Sequence, residues 1–292
     1  MTRPRSFLYL APGILLLASA AQARQDAVAL GDAAWSRRAE GRQGAHAQPG
    51  PIGEAIAAYE RAVKEQPDRL EAYWKLLRAL HFKGDFVARA REEKQAVFGH
   101  GRDVVEAALG RLGARAGGRD KLDKMAPREA ARSLSTLQLS TEAVAIYLWG
   151  AVHWGLWGDN FGRLAAARQG VGDRIRRYAE TVIAIDERYE NAGGHRVLGR
   201  LHTLAPKVPF FTGWVDRDKA VAELRRAVAL APDYPLNQVF LGEALLLHHP
   251  DRAAEAREIL RRQAARPPAP EQVVEDEDAV ARAKKLLAEH SS

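Results

Sequence analysis

Nine histidines, no cysteine and a wide scatter of carboxylates are the groups with which this chain could do chemistry. His195 stands out in HRVLGRLH, nine residues after Asp186 and five after Glu190. A histidine becomes an acid–base or ligand-binding group when a carboxylate fixes its tautomer, and these two acids are the partners the sequence supplies. The other reading is a satisfied structural histidine at a helix–helix contact, and the repeat frame described below favours it. His248 and His249 precede Pro250 and read as a loop end; chelation from a helix needs ligands at i, i+3 or i+4. The chain has no G-x-S-x-G, no H-E-x-x-H, no Walker loop and no thiol, so the usual nucleophile, zinc and phosphate sites have no motif here. The glycines of LGRLGARAGGRDK (109–121) follow no strand and read as an inter-helix turn. The reading is a non-enzyme with no cofactor and no metal.

Two aromatic stretches are better candidates for binding. In YLWGAVHWGLWGDN (147–160), Trp154 and Trp157 are three apart, with Tyr147, Gly150 and Ala151 on or near the same helical stripe. They either fill a bulky core between repeats or wall a ligand pocket. Trp149 projects about 140° away from Trp154 on a helix, so the two cannot serve one surface. The second stretch is APKVPFFTG with Trp214 just beyond it. Pro206 and Pro209 stiffen its backbone, and Phe210, Phe211 and Trp214 would bury apolar area if something covered them. Phe210, Phe211 and Trp214 are expected to line the mouth of a groove, with His195 as a polar anchor and the Trp154/Trp157 helix as the opposite wall.

These residues must be positioned by helices. Alanine, leucine, arginine and glutamate dominate, and alternating β-branched runs are absent. Helical periodicity covers 26–41, 52–66, 69–82, 86–98, 102–114, 128–135, 139–157, 166–188, 194–204, 216–231, 236–248, 252–265 and 273–289, which predicts an all-α stack of helical hairpins with roughly 10–13 helices. Internal repeats support the stack. Ala55, Tyr59, Ala62 and Pro67 recur in spacing as Ala220, Leu224, Ala227 and Pro232, matching the second helix of a degenerate tetratricopeptide (TPR) repeat. Leu198-Gly199 and Leu241-Gly242 carry the L-G of the first helix, with His195 at its tryptophan position, and Leu76-Leu77 and Leu30-Gly31 follow more loosely. In this frame Gly193-Gly194 form the opening turn of a first helix. Leu241 to Ala254 keeps the 13-residue repeat spacing, whereas Leu198 to Ala220 is 22, so about nine residues are inserted.

The N-terminus carries a basic start, a short apolar run through FLYLAPGILLLASA and the Ala21-Gln22-Ala23 cleavage pattern, which reads as a signal peptide over 1–23. That run is about 15 residues, short of the roughly 20 a spanning helix needs, and no later run could cross a bilayer. The mature part reads as one all-α domain over 24–292. Its N-terminal repeats cover about 24–135, further repeats 136–265, and a proline-rich linker and capping helix 266–292. Net charge is +7, falling to +5 (7 − 2) when Arg3 and Arg5 leave with the leader. Both signs are interspersed, without the concentrated basic face that nucleic acid requires.

With these motifs the chain resembles the TatT family, TPR-containing proteins associated with TRAP (tripartite ATP-independent periplasmic) transporters. The segments 147–160, 191–213 and 218–246 and the early YERAVKEQPD carry the likeness, which extends over about 26–290. It implies an all-α bundle around a central pore or groove, a periplasmic location, and partnership with the transporter's solute-binding protein. It further implies a small apolar ligand and leaves room for a homo-oligomer. Lipoprotein members of the family carry an anchoring cysteine that this chain lacks. A general periplasmic scaffold for protein assembly is the alternative reading. N-terminal sequencing of protein recovered from an exporting host should begin at Arg24; a start at Met1 would remove the leader.

Overall fold

Caps and prolines account for many of the helix starts. Asp26 accepts a hydrogen bond from Val28 N at 3.1 Å, and Asp216 accepts from Asp218 N and Lys219 N at 2.9 and 3.1 Å, satisfying donors that a helix cannot pair internally. Pro49, Pro127 and Pro235 each open a helix, where a missing N–H costs nothing. The structure, a computed structural model, describes residues 26–162, 166, 169–207 and 212–290. Its helices are α1 (Ala27–Ser36), α2 (Pro49–Glu65), α3 (Leu70–Phe86), α4 (Arg91–Arg115), α5 (Arg119–Lys124), α6 (Pro127–Thr136), α7 (Ser140–Phe161), α8 (Val171–Ile185), α9 (Tyr189–Leu204), α10 (Arg217–Leu230), α11 (Pro235–His248), α12 (Ala253–Ala264) and α13 (Val273–Glu289). No strand occurs among the described residues, only an isolated bridge between Gln43 and His46. The signal-peptide reading over 1–23 and the predicted Phe210 and Phe211 lie outside them.

The fold is an all-α succession of helical hairpins. The pairs α1/α2, α3/α4, α7/α8, α9/α10 and α11/α12 pack as neighbours, α5 and α6 intervene after α4, and α13 covers α11 and α12. A glycine in the first helix of four of these pairs sets the distance to the second. A Cβ on Gly199 would lie 2.6 Å from Leu224 Cγ, one on Gly242 2.7 Å from Leu260 Cγ, and one on Gly150 3.4 Å from the Tyr178 ring; Gly31 meets the Tyr59 ring more tightly still. The larger partners, Tyr59, Tyr178, Leu224 and Leu260, are all buried. One packing solution therefore repeats at Gly31/Tyr59, Gly150/Tyr178, Gly199/Leu224 and Gly242/Leu260, with sequence separations of 28, 28, 25 and 18. Ala55, Ala62, Ala220 and Ala227 are buried beside these contacts, with Leu198 and Leu241. Pro67 and Pro232 follow two residues after α2 and α10 end.

Several expectations need correction. From Arg91 onward the stretches 86–98 and 102–114 form one helix, α4, because Gly101 admits the His153 ring rather than breaking the chain, while Phe86 ends α3. His153 is wholly buried, its Nε2 2.8 Å from Leu77 O, and burial pushes its pKa down to about 4. Within 109–121, Gly110 and Gly113 are helical and only Gly117 and Gly118 turn, at φ +84° and +127°. Gly193 and Gly194 are no opening turn: they are buried, and Cβ atoms there would meet Leu148 and Ile183 at 2.8 Å. The turn lies just before them, where Glu190, Asn191 and Ala192 adopt left-handed φ of 48°, 56° and 60°. In the last hairpin the buried repeat alanine is Ala256, four before Leu260, while Ala254 is exposed. The 3-10 turn Pro250–Arg252 shifts the frame by two residues.

The close approaches give a direct test. Gly199→Leu should overpack against Leu224 and the Ala220 carbonyl, costing about 1–3 kcal/mol in thermal or urea unfolding. Gly110→Ala, exposed within α4 with open space around it, should instead gain up to about 1 kcal/mol from helix propensity. Equal effects would contradict glycine-limited packing.

Candidate functional site

A glycine that faces the second helix of its pair leaves the next residue about 100° around the helix, on a different face. Those residues are Asp32, Arg78 (after Leu77), Arg200 and Glu243, charged in four first helices, with Ala151 in α7. Around them lie the half-buried aromatics Trp35, Trp74, Trp149, Tyr189, Tyr234 and Phe240. Guanidinium groups pack on most of these rings: Arg78 at 4.2 Å from Trp35 and 5.2 Å from Trp74, Arg196 at 4.7 Å from Tyr234, and Arg200 at 4.4 Å from Phe240. The His81 ring lies 5.3 Å from Trp149.

Charge links the helices across this surface. Arg200 pairs with Glu243; burial draws the Arg200 pKa down, Glu243 opposes the shift, and Arg282 of α13 and Asp159 of α7 add their fields. Arg282 pairs with Asp278 at 2.5 Å and lies within electrostatic reach of Asp85 in α3 and Glu243 in α11. The faces of α3, α7, α9, α11 and α13 therefore converge on one interior. The chain ends close it. Arg38, just after α1, binds Glu275 at 3.0 Å and donates to Glu271 O at 2.7 Å, while Arg42 binds Glu277 at 2.6 Å. Val274 of α13 is fully buried in the same core cluster as Ala27 and Val28.

The left-handed turn at 190–192 borders this interior. Three consecutive non-glycine residues in that conformation cost about 1–2 kcal/mol each, so something must hold them. Arg196 donates to the carbonyls of Glu190 and Asn191 at 3.2 and 3.0 Å. Asn237, fully buried on α11, donates to Asn191 O at 3.0 Å and accepts from Arg196 at 3.2 Å. This network fixes Tyr189 and Glu190 beside Tyr234.

The predicted site residues are only partly brought together. His195 is buried, with Nδ1 2.6 Å from Glu223 and Nε2 3.6 Å from Glu187; its partners are these acids, not Asp186 or Glu190. It lines an open outer groove of about 920 Å³ between α6, α8, α9 and α10, with Ile183, Leu198, Arg132 and Lys219. Trp214 packs edge-on to His202 at 5.5 Å and under Arg176 at 4.4 Å. His202 lies two turns beyond His195 on α9, and burial pushes its pKa down to about 4. Trp154 and Trp157 are buried, 5.8 Å apart, with Arg174 at 4.2 Å from Trp154. Arg174 and Arg176 project about 200° apart from α8, so that helix separates Trp154 from Trp214. The two do not face one another across a groove. Near Trp214, Arg217 caps the end of α9 by donating to Thr203 O and Ala205 O at 2.8 and 3.1 Å.

No family model matches the chain, and no curated protein matches it. Among the described residues no helix is long and apolar enough to cross a membrane, and no group of acids and histidines is arranged to hold a metal.

Sequence reasoning passed over the inner residues Trp35, Trp74, Arg78, Tyr189, Arg200, Tyr234, Glu243 and Arg282. The available signal was the charged residue following each L-G or L-L pair. Glu243→Leu should strand the Arg200 charge and cost about 2 kcal/mol in urea unfolding, less than the full penalty for a buried pair, because the Arg200 side chain keeps 26% of its surface exposed. Adding Arg200→Met should recover most of the loss. A single variant as stable as the parent would show that this pair contributes nothing.

Proposed function

We propose that this chain is a non-catalytic periplasmic TPR-type binding subunit associated with a TRAP-type transporter. In this role it works with the transporter's solute-binding protein and takes a small, largely apolar ligand on its inner surface. The observation that carries the reading is the set of partly buried aromatic rings on first helices, Trp35, Trp74, Trp149, Tyr189 and Phe240, with Tyr234 just before α11, most of them beside a guanidinium or imidazole group. Each of the six rings keeps some exposed surface, which an apolar body could cover. The resemblance of 147–160, 191–213 and 218–246 to the TatT family points the same way.

A general periplasmic scaffold is the second reading, and the outer groove beside His195 favours it. Its apolar floor, from Ala131, Ile183, Ala184 and Leu198, is flanked by Arg128, Arg132 and Lys219, the composition of a surface that receives another protein. Native mass spectrometry of protein purified from periplasm separates the two. A bound small molecule, or a 1:1 complex with a solute-binding protein, is the expected result. A bare chain whose only complexes are with unrelated proteins would favour the scaffold.

A further inference from the structure

The outer groove beside His195 carries an unmatched charge. Neighbouring arginines on α8 and α10 are matched: Arg176 with Asp173, Arg225 with Glu255 and Arg226 with Glu187. Arg128 and Arg132, one turn apart on α6, and Lys219 on α10 line the groove and form no ion pair with any described carboxylate. Against these cations the lining sets one carboxylate outside an ion pair, Glu180, because Glu223 is taken by His195. The start of α6 adds to the imbalance: no side chain caps its first turn, and Ala126, Pro127 and Arg128 bring that positive end to the groove.

Shape selects the occupant. α6 packs on α8, α8 on α9 and α9 on α10. The floor is apolar, from Ala131, Ile183, Ala184 and Leu198, and the cations stand on the flanking helices α6 and α10. Its volume of about 920 Å³ is near the upper end of small-molecule pockets, roughly 300–1,000 Å³, yet the groove is open and its cations do not converge on one point. A small ligand would keep one face in water, whereas a protein segment would cover the floor. No strand occurs among the described residues, only the isolated bridge at Gln43 and His46, so the groove offers no edge with which an extended backbone could pair. The segment must satisfy its own backbone groups, as a helix does. We propose that the outer groove receives an acidic amphipathic helix of a partner protein, its apolar stripe on Ile183, Ala184 and Leu198 and its carboxylates on Arg128, Arg132 and Lys219. This deepens the second reading above, that the groove receives protein, and rests on it. A second copy of the chain is not that partner: its densest acidic run, Glu275 to Asp278, is engaged within the chain by Arg38, the Ala269 amide, Arg42 and Arg282.

Selection from a displayed library of helical peptides tests this on protein purified from periplasm. The library fixes leucine at i, i+3, i+4 and i+7 and leaves every other position random. The enriched peptides should be acidic, and their affinity should fall as salt rises, because exposed charges are screened beyond about 10 Å at 0.1 M salt. Arg132→Glu with Lys219→Glu should weaken the best peptide at least about tenfold, since each reversal replaces an attraction with a repulsion. Arg261→Glu with Lys284→Glu, an equal change in net charge at exposed positions of α12 and α13, should leave its affinity unchanged. Ala184→Gln, which fills part of the floor without adding charge, should also weaken it, and circular dichroism checks that each variant folds. Neutral or basic peptides that Ala184→Gln blocks would overturn the acidic partner and leave the groove as a protein site. Acidic peptides weakened equally by both double variants would be held by net charge alone and overturn the proposal. So would a library with no enriched member, or a dimer of the chain that Ala184→Gln dissociates. The second reading itself fails only if no segment of any charge is blocked at Ala184.

Discussion

The close approach of paired helices at Gly31, Gly150, Gly199 and Gly242 is the constraint on which the remaining architecture depends. Each glycine receives a tyrosine ring or a leucine from the second helix of its pair. That contact fixes how the hairpin is rotated, and so fixes which residue comes next on the inner face. A larger side chain at Gly31, Gly199 or Gly242 would separate the helices, because interiors are packed too densely to absorb several added carbons; at Gly150 the approach is looser, with Val105 at 3.3 Å and Tyr178 at 3.4 Å. Sequence separations of 28, 28, 25 and 18 between the partners show that loop length is free while the contact is not. Extra loop residues cost little closure entropy.

Repetition of one contact has a directional consequence. Because the residue after each glycine turns to a common side, Asp32, Arg200 and Glu243 meet one interior, and Arg78 joins them behind Leu77. Charges brought together in this way must be matched, and most are. Half-exposed ion pairs contribute little to stability, so their value here lies in making a charged interior tolerable. The turn of left-handed residues at 190–192 belongs to the same economy: it re-aims α9 so that Gly193 and Gly194 can press against Leu148 and Ile183, and Arg196 with Asn237 holds the strained carbonyls in place.

The frame presents two surfaces with different chemistry. Inside, guanidinium groups pack on Trp35, Trp74, Tyr234 and Phe240. Outside, the groove beside His195 is broad and open, and its histidine is held through Nδ1 by Glu223, with Glu187 3.6 Å from Nε2. A histidine so held is a brace between α9 and α10. The aromatic pair Trp154 and Trp157 likewise braces α7 against α8 and α4, through Arg174 and Arg102.

Much of this was legible in the order of residues. The all-α class, nearly all of the helices, and the pairing of Gly199 with a buried second-helix position follow from periodicity and from the spacing of Ala220, Leu224 and Ala227, because helical packing imposes those intervals locally. The frame slipped at Ala254, where a 3-10 turn adds two residues that no spacing rule anticipates, and at Gly193-Gly194, where the same residue type serves turns and close contacts alike. His195 stands out in the sequence as a special residue, but its nearest acids in the chain are not its partner: Glu223 lies 28 residues away on another helix. The charges of Arg78, Arg200 and Glu243 were in plain view at repeat positions, yet which way they point depends on the rotation of each hairpin. Closure of the interior by Arg38 with Glu275, 237 residues apart, was decided by tertiary structure alone. Local sequence determines how a helix begins, ends and pairs with its neighbour; the accumulated rotation over successive hairpins determines whether the two ends meet, and no single segment encodes that sum.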